Sequence, residues 1–189
     1  MAIGLIIGGI IVALVLILIA MAIFYYNKFT VMDNRIGNSV SQIDVQLKKR
    51  ADLIPALVKT VSGYAKHEKK ILLEVTKARA SLLKGDDVTK RVKAGDALEG
   101  ALGRLFAVAE NYPTLKANEN FLQLQGELSA IEDKVAYARQ YYNDSILDYE
   151  NSTEQLPGVF FFNMFKFQKK EYLKIPEAEK SMPKIDFEE

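Results

Sequence analysis

The sequence predicts an all-α protein, with an N-terminal transmembrane helix followed by a helical domain. Residues 1–26 carry no charged side chain, and beyond them apolar side chains recur four and three residues apart over a long stretch. The strict apolar–polar alternation of a half-buried strand occurs nowhere. A chain of 189 residues is long enough for one membrane segment and one modest domain.

The membrane anchor is predicted over residues 1–26. The run from Ile3 to Phe24 is entirely apolar or glycine, and at ~1.5 Å per residue it measures ~33 Å, about the thickness of a bilayer core. Aromatic residues and then Lys28 follow, as is usual where a helix leaves a membrane. A cleaved signal peptide is the alternative, because residues 20–22 resemble a cleavage site. The missing basic leader and the length of the apolar run favour an uncleaved anchor.

Positive charge follows the anchor and does not precede it. Lys28 and Arg35 lie in the near flank, and no Lys or Arg comes before the apolar run. The positive-inside rule therefore predicts the N-terminus outside the membrane and the large domain in the cytoplasm.

Small residues mark one face of the predicted anchor. They are Gly4, Gly8, Gly9 and Ala13. The spacing of Gly4 and Gly8 lets two membrane helices approach closely, so this face is the candidate site of helix packing between copies. The alternative is that glycine is simply common in membrane helices.

The first helix after the membrane is predicted over residues 30–83. From Ile36 to Leu82, positions alternating four and three apart are apolar except at Arg50 and Glu68. Pro55 lies inside this helix and removes one backbone donor, so the helix either kinks there or stops and restarts. The apolar phase passes through Pro55 unchanged, which favours a kink.

Three further segments complete the predicted helical domain, which covers residues 27–172. Helices are predicted over 88–111 and from Asn118, a candidate N-cap, to about residue 151. A short segment after Pro157 then carries the densest aromatic patch: Phe160, Phe161, Phe162, Met164, Phe165 and Phe167. It is expected to be a short helix that packs on the domain, with a partner groove or the membrane surface as alternatives. Residues 173–189 are predicted to be a flexible tail.

Arg50 and Glu68 predict a structural polar core. A buried charge needs a partner, because an unpaired interior charge costs several kcal/mol. Arg50 is expected to pair with a carboxylate of the third predicted helix or of another subunit, and Glu68 with a basic residue or a tyrosine hydroxyl. Glu132 and Asp148 are the candidate carboxylates. The alternative is that Pro55 turns Arg50 outward.

Charge is divided between the predicted helices. Residues 44–84 have ten Lys and Arg against four Asp and Glu, whereas residues 110–154 have three against nine. The two segments are therefore complementary, either within one chain or between neighbouring copies.

No pattern of catalytic residues is present. The chain has no cysteine and one histidine, His67, whose local sequence HEKKI lacks the second histidine of a zinc motif. No phosphate-binding glycine loop occurs, and the net charge of +1 gives no field that recruits nucleic acid. No catalytic residue, metal or cofactor is predicted.

Several long segments resemble the LemA family of bacterial membrane proteins. They are SQIDVQLKKRADLIPALVKTVSGYAKHE (41–68), EVTKAR (74–79), AVAENYPTLKANENFLQLQGEL (107–128), ARQYYND (138–144), FKFQKKEYL (165–173) and KIDF (184–187). The chain departs from the family pattern at Val40, where tryptophan is typical, and at Leu156-Pro157, where Phe-Pro is usual.

The resemblance implies a single-pass protein of the bacterial inner membrane, with an antiparallel four-helix bundle in the cytoplasm and no established enzymatic activity. One branch of the family is linked to magnetosome membranes. We therefore predict a non-enzymatic membrane scaffold whose partners are the lipid bilayer, further copies of itself and other envelope proteins. The alternative is an accessory subunit of a membrane protease or signalling protein, with docking residues Glu110, Asn111, Tyr112, Phe160, Phe161 and Phe165.

Overall fold

The computed structural model describes residues 2–174, and within them it is helical with no strand. The helices are α1 (Ala2–Tyr64), α2 (Lys69–Lys84), α3 (Val88–Ala109), α4 (Pro113–Lys116), α5 (Glu119–Glu154) and α6 (Gly158–Phe165). The all-α prediction is confirmed, as is a long apolar helix at the N-terminus. The antiparallel four-helix bundle stays a prediction.

Among the described residues, α1 is the helix that is long and apolar enough to cross a membrane. None of its most apolar 18-residue window is buried by the protein itself. Such an uncovered surface is expected of a helix whose solvent is lipid.

The first predicted helix is in fact two helices, which corrects the range 30–83. The helical hydrogen-bond pattern stops at Tyr64 and resumes at Lys69. Gly63 lies in the last turn of α1, and its low helix propensity favours an end to the helix here. Sequence periodicity did not reveal it, because Val61 and Ile71 on either side are both buried.

Pro55 lies within α1 and does not end it. Proline has no N–H to donate to the carbonyl four residues earlier, which here belongs to Ala51. That buried carbonyl instead accepts a hydrogen bond from Nε of Arg79 on α2, at 2.7 Å. Because the carbonyl is satisfied from a neighbouring helix, the continuous helix tolerates the proline.

Side chains cap two of the predicted helix starts. Asp87 accepts a hydrogen bond from the backbone N–H of Lys90 at 2.8 Å, and α3 begins directly after it. Asn118 accepts from the N–H of Phe121 at 3.0 Å, so the predicted N-cap of the long C-terminal helix is confirmed. Each cap satisfies a donor that the first turn of a helix leaves unpaired.

The described chain divides into two compact units. One comprises residues 40–140 with 173–174, and the other comprises residues 2–39 with 141–172. In the first, α2 packs against α3, which carries a buried apolar stripe: Leu98, Leu102, Leu105 and Ala109.

In the unit of residues 2–39 and 141–172, tyrosine hydroxyls hold the segment that follows α6. Tyr149 donates to the carbonyl of Gln168 at 2.9 Å, and Tyr142 donates to that of Glu171 at 3.0 Å. Burial raises the pKa of Tyr149 to about 12, with a smaller contribution from the nearby carboxylate of Asp33. Tyr149 is therefore a neutral donor across the physiological pH range.

The predicted flexible tail, 173–189, falls mostly beyond the described residues. Leu173, its first residue, is buried. Residues 175–189 lie outside the described part of the chain, together with the KIDF segment.

Candidate functional site

A cleft of about 260 Å³ opens in the unit of residues 40–140. Its walls come from α1, α3 and α5, and apolar side chains meet charged ones on them. The lining residues are Arg50, Glu99, Leu102, Gly103, Phe106, Gln125, Leu128, Ser129 and Glu132. An apolar cleft with a few convergent polar groups is the usual form of a small binding site, which makes it the candidate site of this unit.

Arg50 is the buried charge of the cleft. Its side chain is 2% exposed, and its Nη2 donates to Oε2 of Glu132 on α5. Nη1 lies 3.4 Å from the carbonyl oxygen of Gly95 on α3. Arg50 is therefore inside the protein rather than turned outward by Pro55, and its partner is an intrachain carboxylate of the third predicted helix.

A second ion pair adjoins the first. Nη1 of Arg139 on α5 donates to Oδ1 of Asp96 on α3 at 2.8 Å. Burial lowers the pKa of Arg50, whereas the charges of Glu99 and Asp96 oppose that shift and Arg139 adds to it. Arginine keeps its charge throughout the usable pH range, so this is a cluster of permanent cations held by carboxylates.

Gly95 allows α3 to lie close to α1 beside this cluster. A Cβ built at Gly95 would be 2.8 Å from Cδ2 of Leu47, which is itself buried. The close approach brings the Gly95 carbonyl within reach of Arg50. Gly95 thus serves packing between the helices, and Asp96 beside it serves charge pairing.

The cluster joins three helices. Glu132 and Asp96 each accept a hydrogen bond from a guanidinium, which links α5 to α1 and to α3. Over residues 2–174, no group of three or more His, Cys, Asp or Glu side chains is placed to hold a metal ion. His67 is exposed.

Glu68 lies at the turn between α1 and α2 and is half-buried. It accepts a hydrogen bond from the hydroxyl of Tyr112 at 3.0 Å, and this bond raises the pKa of Tyr112. Its partner is thus a tyrosine hydroxyl. Of the other candidate docking residues here, Glu110 pairs with Lys116 and Asn111 is exposed.

Asp148 does not belong to a buried polar core, which corrects that prediction. Its side chain is 59% exposed and lies 3.7 Å from Arg35. Asp148 falls between the buried positions Ser145 and Tyr149 of α5, on the outward side of the helix. Exposed ion pairs of this kind contribute little to stability.

The aromatic patch is divided between the inside and the outside of its unit. Phe161 is buried and stacks on Tyr25, with ring centroids 5.1 Å apart, so it is not available for docking. Phe165 is half-buried, with its ring edge-on to Tyr26 at 5.2 Å. Phe160 is 61% exposed.

The small residues of the anchor lie on an open surface of α1. Gly4, Gly8, Gly9 and Ala13 are all exposed. A Cβ built at any of the three glycines meets no atom of the protein within 4 Å. These glycines therefore have no role in packing within the described chain.

Comparison with known proteins gives a family and several named relatives. The family model for the LemA family matches residues 39–187. The chain is 26% identical over 180 residues to magnetosome protein MamQ 2 of Paramagnetospirillum magneticum, covering 82% of this chain and 66% of the relative. It is 29% identical over 133 residues to protein LemA of Metamycoplasma hominis, covering 67% of this chain and 61% of the relative. It is 25% identical over 173 residues to magnetosome protein MamQ of Magnetospirillum gryphiswaldense, covering 78% of this chain and 64% of the relative. In each case the match spans less than two thirds of the relative.

Proposed function

We propose that this chain, which belongs to the LemA family, is a non-enzymatic membrane scaffold that associates with further copies of itself. In this proposal residues 3–24 of α1 span the bacterial inner membrane. The N-terminus lies outside, and the helical domain that follows lies in the cytoplasm.

The observation that carries the proposal is the uncovered apolar surface of α1. Its most apolar window has no side chain buried by the rest of the protein. A surface of this size in water would be an aggregation hazard, whereas in a bilayer it is stable. Lys28 and Arg35, which follow the apolar run, support the proposed orientation.

A role through binding rather than catalysis is supported by the ion pairs in and beside the cleft. Arg50 of the cleft pairs with Glu132, and Arg139 pairs with Asp96. Side chains that are ion-paired in this way fix the positions of the helices that carry them and are not arranged for a chemical reaction. The relatives named as magnetosome proteins are consistent with a role tied to a membrane.

Self-association is proposed through the face that contains Gly4 and Gly8. The two glycines lie four residues apart, on the same side of the helix and open to a partner. Close contact between two membrane helices needs such small residues, because a side chain at either position would hold the backbones apart.

Replacing Gly8 tests this association. We expect Gly8→Leu to weaken self-association by roughly tenfold or more, because a bulky side chain blocks close helix contact. The mass of the full chain in a mild detergent, measured by light scattering over a range of concentrations, reports the change. Ile6→Leu is the matched control, since at ~100° per residue Ile6 lies on the opposite side of the helix.

A wild-type chain that is strictly monomeric at 21.2 kDa in both detergent and lipid would overturn the scaffold proposal. An oligomer that Gly8→Leu and Ile6→Leu leave equally unchanged would instead show that association uses another surface.

A further inference from the structure

Helix α6 has one face against its own unit and one face without a partner in the described chain. Phe161 and Phe162 are buried. Phe160 and Met164, four residues apart on the other side, are exposed. These two large apolar side chains, one helical turn apart, form a narrow exposed ridge, which we call the α6 ridge.

The position of α6 along α1 is fixed by close aromatic contacts. Phe161 stacks on Tyr25, and the ring of Phe165 contacts that of Tyr26. Phe165 also lines a small hollow together with Ala22 and Ile23. These partners include the last turn of the apolar run, which ends at Phe24, so α6 lies at the depth where α1 leaves the membrane.

The charged side chains near α6 suit the same location. Lys28 follows the span on α1, and its ammonium lies 5.8 Å from the ring centre of Tyr25. Lys166 directly follows α6 and is exposed. Apolar side chains flanked by lysines are the pattern of a segment that lies at a membrane surface, where the cations meet lipid phosphates.

We propose that the α6 ridge of Phe160 and Met164 inserts into the boundary between headgroups and acyl chains of the bilayer, beside the exit of α1. The inference rests on the proposed membrane anchor. An eight-residue helix is only ~12 Å long, so α6 lies in the surface and does not span it.

The bilayer is favoured over a second protein copy as the partner of the α6 ridge, because the anchor tethers the ridge to the membrane. The anchor holds α6 next to lipid at all times, so insertion of the ridge is an intramolecular event with a high effective concentration. Contact with a second copy would need a further encounter. The hollow lined by Phe165 and Ile23 shows that α6 lies directly beside the apolar surface of α1.

Tryptophan fluorescence can test the inference cleanly, because the chain contains no tryptophan. Phe160→Trp places a reporter on the ridge, Ile11→Trp one in the middle of the span, and Tyr137→Trp one on an exposed position of α5. The full chain is reconstituted in vesicles of phosphatidylcholine and phosphatidylglycerol. Some of the phosphatidylcholine carries bromine at either a shallow or a deep position of the acyl chain.

We expect shallow bromines to remove about half of the Phe160→Trp fluorescence, because the ring lies near the headgroup boundary. Deep bromines should quench Ile11→Trp most strongly, and neither should quench Tyr137→Trp. Met164→Trp is a second ridge reporter and should behave like Phe160→Trp.

The outcomes separate this inference from the proposed anchor. If Ile11→Trp is quenched while both ridge reporters are not, the anchor stands and the ridge inference is wrong. In that case, red-shifted ridge emission means that the ridge faces water, and blue-shifted emission means that protein covers it. If Ile11→Trp is itself unquenched by deep bromines, the anchor fails.

Discussion

Gly158→Ala is expected to destabilise the protein by about 3 kcal/mol and to detach α6 from α1. A Cβ built at Gly158 would lie 2.1 Å from the backbone carbonyl oxygen of Ser152 and 3.5 Å from Cε1 of Tyr25. The first of these contacts is with backbone at the end of α5, which cannot move aside as a flexible side chain can. The turn between α5 and α6 must therefore open, and the stack of Phe161 on Tyr25 is lost with it.

Gly126→Ala is the matched control. Gly126 lies within α5, and a Cβ built there meets nothing within 4 Å. Alanine has the higher helix propensity, so this change should stabilise the protein by roughly 0.5–1 kcal/mol. Thermal unfolding of the full chain in detergent, followed by circular dichroism, measures both variants. Equal effects of the two substitutions would contradict the packing described for Gly158.

Breaking the Arg50–Glu132 pair is expected to have the second large effect. Arg50→Met should cost about 3 kcal/mol, because it leaves the carboxylate of Glu132 without its cation. Glu132→Met should cost a similar ~3 kcal/mol, because it leaves a buried guanidinium without its ion-pair partner.

The double variant carrying Arg50→Met and Glu132→Met should lie within about 1 kcal/mol of the wild type, because neither charge is then left alone. Arg104→Met is the control, since Arg104 pairs with Glu74 on the surface and its loss should cost less than ~1 kcal/mol. Chemical denaturation gives the free energy of unfolding of the wild type and of each variant. Strictly additive losses in the double variant would show that the two side chains do not act as a pair.

Much of the fold could be predicted because helical periodicity is a local signal. The apolar line through Ile36, Leu47 and Leu57 and the stripe of α3 are both buried as their spacing indicates. The break after Tyr64 was not predictable from that line, because Val61 and Ile71 on either side of the turn are both buried. The tolerance of Pro55 depends on Arg79, 28 residues away from Ala51 in the chain. No local pattern reveals such a contact.

The sequence predicted that a buried charge would have a partner, and it was less accurate about which residues take part. A charge within an apolar line indicates a buried partner, and Arg50 has one in Glu132. Asp148 lies on the same predicted helix as Glu132 and carries the same charge, yet it falls on the exposed side of α5. The contribution of Asp96 and Arg139 could not be read from sequence, because it depends on how closely α3 approaches α1 at Gly95.

Alkaline carbonate extraction of bacterial membranes, followed by an intact-mass measurement of the full chain, tests the central claim most directly. The proposed anchor predicts that the protein stays in the membrane pellet, because residues 3–24 are buried in lipid and carbonate removes only peripheral proteins. The retained protein should have the uncleaved mass of 21.2 kDa. A soluble protein shortened to begin near residue 23 would contradict the account.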